Sequence, residues 1–247
     1  MKKCKFIFVL ISMIFIVLSF KTPAKINVWM IGDSTMANKK PDKAPETGWG
    51  MVLSEYVKAG VVVHNHAING RSSKSFISEG RWKAVFDSIQ PGDFVIIQFG
   101  HNDEKTDSAR HTDAKTSYKM YLKKYIDDTR QKGAFPIVCS SIVRRNFDGS
   151  GNLVQTHGDY IEAACQIALE TKTPYIDMEA KSRKFVADLG QEESKMLYLF
   201  CKPGEFANRP NGVRDSTHLN TYGAHQVAQL FITGVKEQKL ALKKYFK

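Results

Sequence analysis

The sequence predicts an α/β fold: a single three-layer domain in which a central parallel sheet of about five strands is flanked by helices. Five short apolar runs are nearly continuous, as expected of strands that are buried on both faces of a sheet. They alternate with longer segments whose apolar residues recur at helical spacing. This alternation favours a parallel sheet with helices on both sides. The 247 residues are enough for one such domain.

Residues 1–24 stand outside this pattern. Three lysines among the first five residues precede an apolar run at residues 6–20. A basic start followed by such a run is typical of a secretory signal peptide, and the run is short for a membrane span of about 20 residues. We expect a signal peptide at residues 1–24, with an uncleaved anchor as the alternative. Residues 25–247 would then form an exported, periplasmic or extracellular domain with no stable membrane span in its mature form.

The first half of this domain is predicted to contain three strands and two helices. Residues 26–31 form an apolar run that predicts the first strand, and residues 48–59 place apolar side chains on one face of a helix. Residues 61–67 predict the second strand, and residues 81–89 predict a short amphipathic helix. Residues 93–99 are the clearest strand, because a Pro-Gly turn directly precedes them.

The second half continues the alternation. Residues 114–132 predict a helix with lysines on its solvent side, ended by a glycine. Residues 135–141 predict the fourth strand, and residues 155–171 predict the next helix. Residues 174–178 predict a shorter fifth strand, and residues 223–242 predict the last helix.

Small and polar residues of catalytic type follow the first three strands and precede the last helix. In an open parallel sheet, ligands bind outside the carboxyl ends of the strands, so we expect these four segments to form one site. They are Gly32-Asp33-Ser34-Thr35, Asn69-Gly70-Arg71-Ser72-Ser73, Gly100-His101-Asn102-Asp103 and Asp215-Ser216-Thr217-His218.

A serine, a histidine and a carboxylate among these residues suit acyl transfer. A serine hydroxyl needs a neighbouring base to take its proton, and the ordinary pKa of histidine, about 6.5, lets it accept and return a proton near neutral pH. A carboxylate orients the imidazole and stabilises the imidazolium that forms. We therefore predict that Ser34 is the nucleophile and His218 the base, with Asp215 paired to His218 on one loop.

Acyl transfer also needs donors that face the developing oxyanion, and each contributes about 2.7–4 kcal/mol. Gly70 has no Cβ, so its backbone N–H is open to close approach. The Asn102 side chain offers two N–H donors, where a carboxylate would repel the oxyanion. The sequence therefore predicts Gly70 and Asn102 as oxyanion donors.

In their order and spacing, the four segments resemble the SGNH (GDSL-like) hydrolase family, whose name records Ser, Gly, Asn and His. Ser34 matches the family nucleophile, and Gly70 and Asn102 match its oxyanion donors. Asp215 and His218 match its Asp-x-x-His pair. The resemblance implies the flavodoxin-like SGNH hydrolase fold, the Ser34 backbone N–H as a third oxyanion donor, and no metal or organic cofactor.

Flanking residues narrow the resemblance to rhamnogalacturonan acetylesterases, which implies removal of O-acetyl groups from the acidic, rhamnose-containing backbone of pectin. The nucleophile segment reads Gly-Asp-Ser-Thr rather than Gly-Asp-Ser-Leu, which favours carbohydrate esters over lipids. Another acetylated glycan such as xylan, a lipid acyl ester, and a non-catalytic glycan-binding module remain alternatives. The matching segments are Gly32-Asp-Ser-Thr-Met-Ala, Gly48-Trp-Gly, Asn69-Gly-Arg-Ser-Ser, Glu79-Gly-Arg-Trp, Gln98-Phe-Gly-His-Asn-Asp and Asp215-Ser-Thr-His-Leu.

Five further residues are predicted to contact the substrate. An arginine suits a uronate carboxylate and a tryptophan suits a sugar ring, although a structural ion pair and core packing are the respective alternatives. Residues 200–214 are predicted to form a long loop that leads to Asp215, and loops placed in this way often line a cleft. The five residues are Arg71, Trp82, Phe206, Asn208 and Arg209.

Charge and cysteine content restrict the remaining partners. The formal net charge is +11, and +7 remains without the four lysines of residues 1–24. A basic protein suits an acidic polysaccharide, although lysines on solvated helix faces explain the charge equally well. No basic cluster interleaved with aromatic residues indicates nucleic acid.

The spacing of Cys139, Cys165 and Cys201 matches no zinc site, and their odd number does not favour a disulfide set. We expect a monomer.

Overall fold

Five parallel strands form the central sheet, in the order β2-β1-β3-β4-β5. The computed structural model describes residues 25–247, so the signal peptide expected at residues 1–24 lies outside the described residues. The neighbouring strands all pair in parallel, which confirms the predicted fold class. The strands are β1 Ile26–Gly32, β2 Val61–Asn65, β3 Phe94–Gln98, β4 Phe135–Cys139 and β5 Tyr175–Ile176.

The direction of strand addition reverses beside β1. The chain passes from β1 to β2 on one side and then crosses to β3 on the other side. In an open parallel sheet, such a reversal opens a crevice outside the carboxyl ends of the strands. Residues that directly follow β1 and β3 therefore lie where the topology creates room for a ligand.

The strands β1 and β3 approach closely at their carboxyl ends. Gly32 is the register partner of Gln98. A Cβ on Gly32 would lie only 2.6 Å from the Gln98 carbonyl oxygen, closer than side-chain atoms pack. Glycine is therefore required where β1 ends and the Ser34 segment begins.

Helices cover both faces of the sheet, because successive strand residues point to opposite sides. The helices are α1 Trp49–Val52, α2 Ser73–Ser78, α3 Arg81–Ser88, α4 Lys119–Gln131, α5 Tyr160–Glu170, α6 Met178–Glu193 and α7 Thr221–Glu237. Val28 and Met30 pack into a buried cluster with α1, α6 and α7. Trp29 and Ile31 pack into a second cluster with α2, α3, α4 and α5. The two clusters are the two interfaces of a three-layer fold.

The helices α2 and α6 were not predicted. α2 has only six residues, and α6 buries four side chains, of which two are polar, so neither helix has a strong apolar period. The helix predicted at residues 48–59 is also shorter than expected, because α1 continues into a 3-10 turn at Leu53–Tyr56.

A separate antiparallel pair of strands, β6 Tyr198–Cys201 and β7 Val213–Leu219, lies outside the central sheet. The prediction of one continuous loop at residues 200–214 is therefore wrong at both ends. Asp215 and His218 belong to β7, not to a loop as predicted. The strand escapes detection because its side chains are mostly polar, and pairing with β6 at residues 213–215 and 219 needs no apolar pattern.

Several general features of the described residues bear on partners. Among residues 25–247, no helix is long and apolar enough to cross a membrane. In the same part of the chain, no group of three or more His, Cys, Asp or Glu side chains is arranged to hold a metal ion. Cys139, Cys165 and Cys201 are free thiols. Burial raises the pKa of the Cys139 thiol well above its ordinary value, so it remains protonated and unreactive.

Candidate active site

Ser34 lies in a turn that the side chain of Asp33 builds directly after β1. Asp33 Oδ1 accepts hydrogen bonds from the Thr35 backbone N–H at 2.9 Å and from the Thr35 hydroxyl at 2.8 Å. The Asp33 carbonyl also accepts the backbone N–H groups of Met36 and Ala37. Aspartate side chains stabilise turns by bonding to the backbone two residues on. Asp33 therefore fixes the direction in which Ser34 leaves the sheet.

Ser34, His218 and Asp215 form a continuous hydrogen-bonded chain. Ser34 Oγ lies 2.9 Å from His218 Nε2, and His218 Nδ1 lies 2.7 Å from Asp215 Oδ2. The imidazole is 28% exposed, so the site faces solvent. A hydroxyl, an imidazole and a carboxylate in this order are the parts that a serine nucleophile requires.

Asp215 is held as a carboxylate by the chain around it. Its Oδ1 accepts the backbone N–H groups of Thr217 at 2.7 Å and of His218 at 2.9 Å. Burial raises the pKa of Asp215, but the His218 side chain and these two N–H donors outweigh burial and leave the pKa at about 2. The register of β7 against β6 is irregular between Asp215 and Leu219, and in this stretch Asp215 and His218, three residues apart, meet on one side of the strand.

The two segments that carry Gly70 and Asn102 are joined side by side. The Asn102 side chain donates from Nδ2 to the Arg71 carbonyl at 3.2 Å. This bond needs only one of the two amide hydrogens on Nδ2. Asp103 accepts the Ser73 backbone N–H on both carboxylate oxygens, each at 3.1 Å. Gly70 adopts a φ of +75°, a conformation that favours glycine. The structure thus brings the predicted oxyanion segments together at the ends of β2 and β3.

A buried pair beneath these segments links the Ser34 turn to the Asn102 segment. Asp33 Oδ2 lies 3.3 Å from His101 Nδ1. Burial raises the pKa of Asp33, but His101 and Thr35 outweigh burial and leave the pKa at about 2. Burial lowers the pKa of His101 to about 4, against the attraction of Asp33. Near neutral pH the pair is therefore a carboxylate beside a neutral imidazole.

The prediction that Trp82 contacts the substrate is wrong. Its side chain is 3% exposed, and its Nε1 donates to Asp128 Oδ2 at 2.7 Å. Its ring packs edge-on against Tyr125 with centroids 4.9 Å apart. Trp49 is likewise completely buried, and its indole N–H donates to Gln98 Oε1 at 2.7 Å. Both indoles are core residues.

Arg71 lies beside the oxyanion segments and is already paired. Its Nε contacts the Glu79 carboxylate at 3.0 Å, and its Nη1 donates to the Asn69 carbonyl at 2.9 Å. The side chain is still 32% exposed. The structural ion pair, which the sequence left as an alternative role for Arg71, is therefore present. Contact of Arg71 with a substrate remains a prediction.

The other three predicted contacts lie on the connection between β6 and β7. Asn208 donates from Nδ2 to the carbonyls of Asp42 and Ala44, and Arg209 donates to the Lys43 carbonyl. Phe206 is partly buried. These bonds hold the connection against the segment at residues 41–46. Substrate contact by the three residues remains a prediction.

Lys39 is a residue beside Ser34 that sequence reasoning missed. Its Nζ donates to the Ser34 carbonyl at 2.7 Å and to Asn69 Oδ1 at 2.7 Å, and it pairs with Glu46 at 2.8 Å. In the sequence, Lys39 belongs to a polar stretch that is typical of an exposed loop. Only the folded chain shows that its ammonium group is enclosed.

Comparisons with known proteins show the family of this chain. The profile of the GDSL-like Lipase/Acylhydrolase family matches residues 30–225. The chain is 40% identical over 218 residues to the rhamnogalacturonan acetylesterase RhgT of Bacillus subtilis (strain 168), across 88% of this chain and 93% of RhgT. It resembles the crystal structure of the Bacillus subtilis protein YxiM, with a TM-score of 0.74 and 26% identity over 88% of this chain and 58% of that one. The acetylxylan esterase Axe2 of Geobacillus stearothermophilus shares the fold, with a TM-score of 0.63 and 18% identity over 86% of this chain and 94% of that one.

Proposed function

Since this chain belongs to the GDSL-like lipase/acylhydrolase family and is a carbohydrate acetylesterase, we propose that it removes O-acetyl groups from rhamnogalacturonan by Ser-His-Asp acyl transfer. The observation that carries this proposal is the hydrogen-bonded chain from Ser34 Oγ through His218 to Asp215. Each member stands within hydrogen-bond distance of the group that it must serve.

In the first step, Ser34 Oγ attacks the acetyl carbonyl carbon while His218 Nε2 takes the hydroxyl proton. Asp215, whose pKa of about 2 keeps it ionised, stabilises the imidazolium through its bond to Nδ1. The tetrahedral intermediate then collapses, and the sugar oxygen leaves with the proton from His218. Ser34 is left carrying the acetyl group.

In the second step, water attacks the acetyl carbonyl. His218 takes a proton from this water and returns it to Ser34 Oγ as the bond to the acetyl group breaks. Acetate is released and the free hydroxyl is restored. One histidine thus acts as base and then as acid in each half of the cycle.

The oxyanion of both tetrahedral intermediates would be held by the backbone N–H groups of Ser34 and Gly70 and by the Asn102 amide. Asn102 can serve because only one of its two amide hydrogens is needed for the bond to the Arg71 carbonyl. That bond also fixes the rotamer of the amide, so the second N–H needs no reorganisation when negative charge develops.

The proposed substrate is anionic, and two features support it. RhgT, which shares 40% identity with this chain, is named a rhamnogalacturonan acetylesterase. Residues 25–247 keep a formal net charge of +7, which is +11 less the four lysines of residues 1–24, and this sign attracts an acidic polysaccharide. Arg71, Phe206, Asn208 and Arg209 are proposed to contact the sugar chain around the acetyl group.

We also propose that residues 1–24 are a signal peptide and that residues 25–247 are the exported esterase domain. A polymeric pectic substrate requires an enzyme outside the cytoplasm, which fits the basic and apolar pattern of the first segment. The intact mass of the exported protein tests this. Removal of about 24 residues is expected, whereas a full-length mass would favour the uncleaved anchor.

The substrate is tested by acetate release from acetylated rhamnogalacturonan, acetylated xylan and p-nitrophenyl esters of increasing chain length. We expect the pectic substrate to have the highest kcat/KM, with Ser34→Ala as the inactive control. Faster turnover of long acyl esters would contradict the carbohydrate assignment, and faster turnover of xylan would change the assigned glycan.

A further inference from the structure

The Lys39 ammonium group is enclosed by three acceptors next to the nucleophile. It lies 2.7 Å from the Ser34 carbonyl oxygen, 2.7 Å from Asn69 Oδ1 and 2.8 Å from Glu46 Oε1. The Lys39 side chain is 2% exposed. An ammonium group has three N–H donors and no acceptor, so these contacts use all its capacity. Lysine is rarely buried unless it is paired in this way.

Two of the three acceptors belong to the segments proposed to stabilise the oxyanion. The Ser34 carbonyl is part of the nucleophile turn after β1. Asn69 directly precedes Gly70 in the segment after β2. The backbone bond from Ile68 N–H to the Gly32 carbonyl, at 3.0 Å, joins these segments nearer the sheet, two residues short of Gly70. Lys39 extends this connection to the residues that face the reaction.

The third acceptor connects Lys39 to the strand that carries His218. Glu46 precedes Thr47, whose backbone N–H donates to the Leu219 carbonyl at 3.0 Å, and Leu219 directly follows His218. The second Glu46 oxygen lies 3.5 Å from Arg209 Nη2. The Lys39–Glu46 pair therefore ties the nucleophile turn both to the end of β7 and to the connection between β6 and β7.

We propose that Lys39 is a positioning residue that holds the Ser34, Gly70 and His218 segments in register for acyl transfer. This inference rests on the proposed function. The ammonium group of Lys39 is enclosed by its three acceptors, so Lys39 acts through the backbone that it orients. Because a displacement of about 1 Å at a reacting group can cost about 100-fold in rate, loss of this tie should appear in kcat.

The first test compares Lys39→Met with the wild-type protein, using p-nitrophenyl acetate so that the result does not depend on the glycan. Methionine keeps much of the side-chain length and removes the charge and all three donors. We expect kcat to fall roughly 10- to 100-fold, with KM changed by less than about threefold. Lys58→Met is the matched control, because Lys58 Nζ donates to the Lys244 carbonyl away from the site. It should retain full kcat.

A double-mutant cycle with Asn69→Ala separates positioning from general stability. Asn69 is exposed, so this variant should fold even if Lys39→Met does not. We expect Asn69→Ala to lower kcat without lowering the melting temperature, and the double variant to be no slower than Lys39→Met alone. Full kcat in Asn69→Ala, losses that multiply in the double variant, or a Lys39→Met protein with full kcat would each overturn the proposal.

Ser34→Ala is measured beside these variants to keep the two proposals distinguishable. If Ser34→Ala hydrolyses the ester at the wild-type rate, the proposed function fails. If Ser34→Ala is inactive and the Asn69 and Lys39 variants keep full kcat, the esterase assignment stands and the positioning role of Lys39 fails.

Discussion

Asp33 Oδ2 lies 3.3 Å from His101 Nδ1, and the two buried side chains connect the Ser34 turn to the Asn102 segment. Asp33 directly precedes Ser34 after β1, and His101 directly precedes Asn102 after β3. The contact crosses the reversal in strand order, where the topology opens a crevice. The two side chains thus meet inside the domain, each one residue before a predicted site residue, Ser34 or Asn102.

This pair should make the unfolding free energy depend on pH. Burial lowers the pKa of folded His101 to about 4, from an ordinary 6.5. Between these values the unfolded chain binds more protons, so stability is lost as pH falls from about 6.5 to 4. We expect wild type to lose about 3 kcal/mol more than His101→Gln between pH 7 and 4. Denaturant unfolding at several pH values measures this, and equal losses in both proteins would contradict it.

On the acid side of its pH profile, kcat/KM should depend on the protonation of a single group. The pKa of Asp215 is held at about 2, so Asp215 stays ionised throughout the working range. With Asp215 ionised, a single further protonation should stop the reaction, so the logarithm of kcat/KM should fall with a limiting slope of one. A slope of two between pH 5 and 8 would show that a second group must also be ionised.

Replacement of Asn102 should slow the chemical step more than it weakens binding. Loss of one oxyanion donor typically lowers kcat by about 100- to 1,000-fold, so we expect this loss in Asn102→Ala with little change in KM. Asn102→Asp should be slower still, because a carboxylate repels the developing oxyanion. Steady-state kinetics of both variants test this order, and an aspartate variant faster than the alanine variant would refute the role.

Trp82 should matter for stability and not for catalysis. Trp82→Phe removes the hydrogen bond to Asp128 and part of the ring that packs against Tyr125. We expect a loss of about 1–3 kcal/mol in unfolding free energy, with kcat/KM on the acetylated glycan within about twofold of wild type. A large rise in KM without a loss of stability would instead restore the sugar-stacking role.

The sequence predicts the central sheet well because each strand is buried on both faces, and burial leaves a long apolar run such as Phe94–Gln98. It predicts α6 and β7 poorly, since α6 buries few apolar side chains and β7 is mostly polar. Ser34 and His218 could be proposed because acyl transfer needs their side-chain types at strand ends. Lys39 could not be proposed, because its importance depends on three acceptors that only the folded chain assembles.

The most direct test of the serine mechanism is covalent labelling of the native protein with a fluorophosphonate, followed by peptide mass analysis. Ser34 Oγ is expected to displace fluoride and carry the phosphonyl group, while His218→Ala labels far more slowly and Ser34→Ala does not label. An adduct on another residue, or equal labelling of Ser34→Ala, would contradict the assignment of Ser34 as the nucleophile.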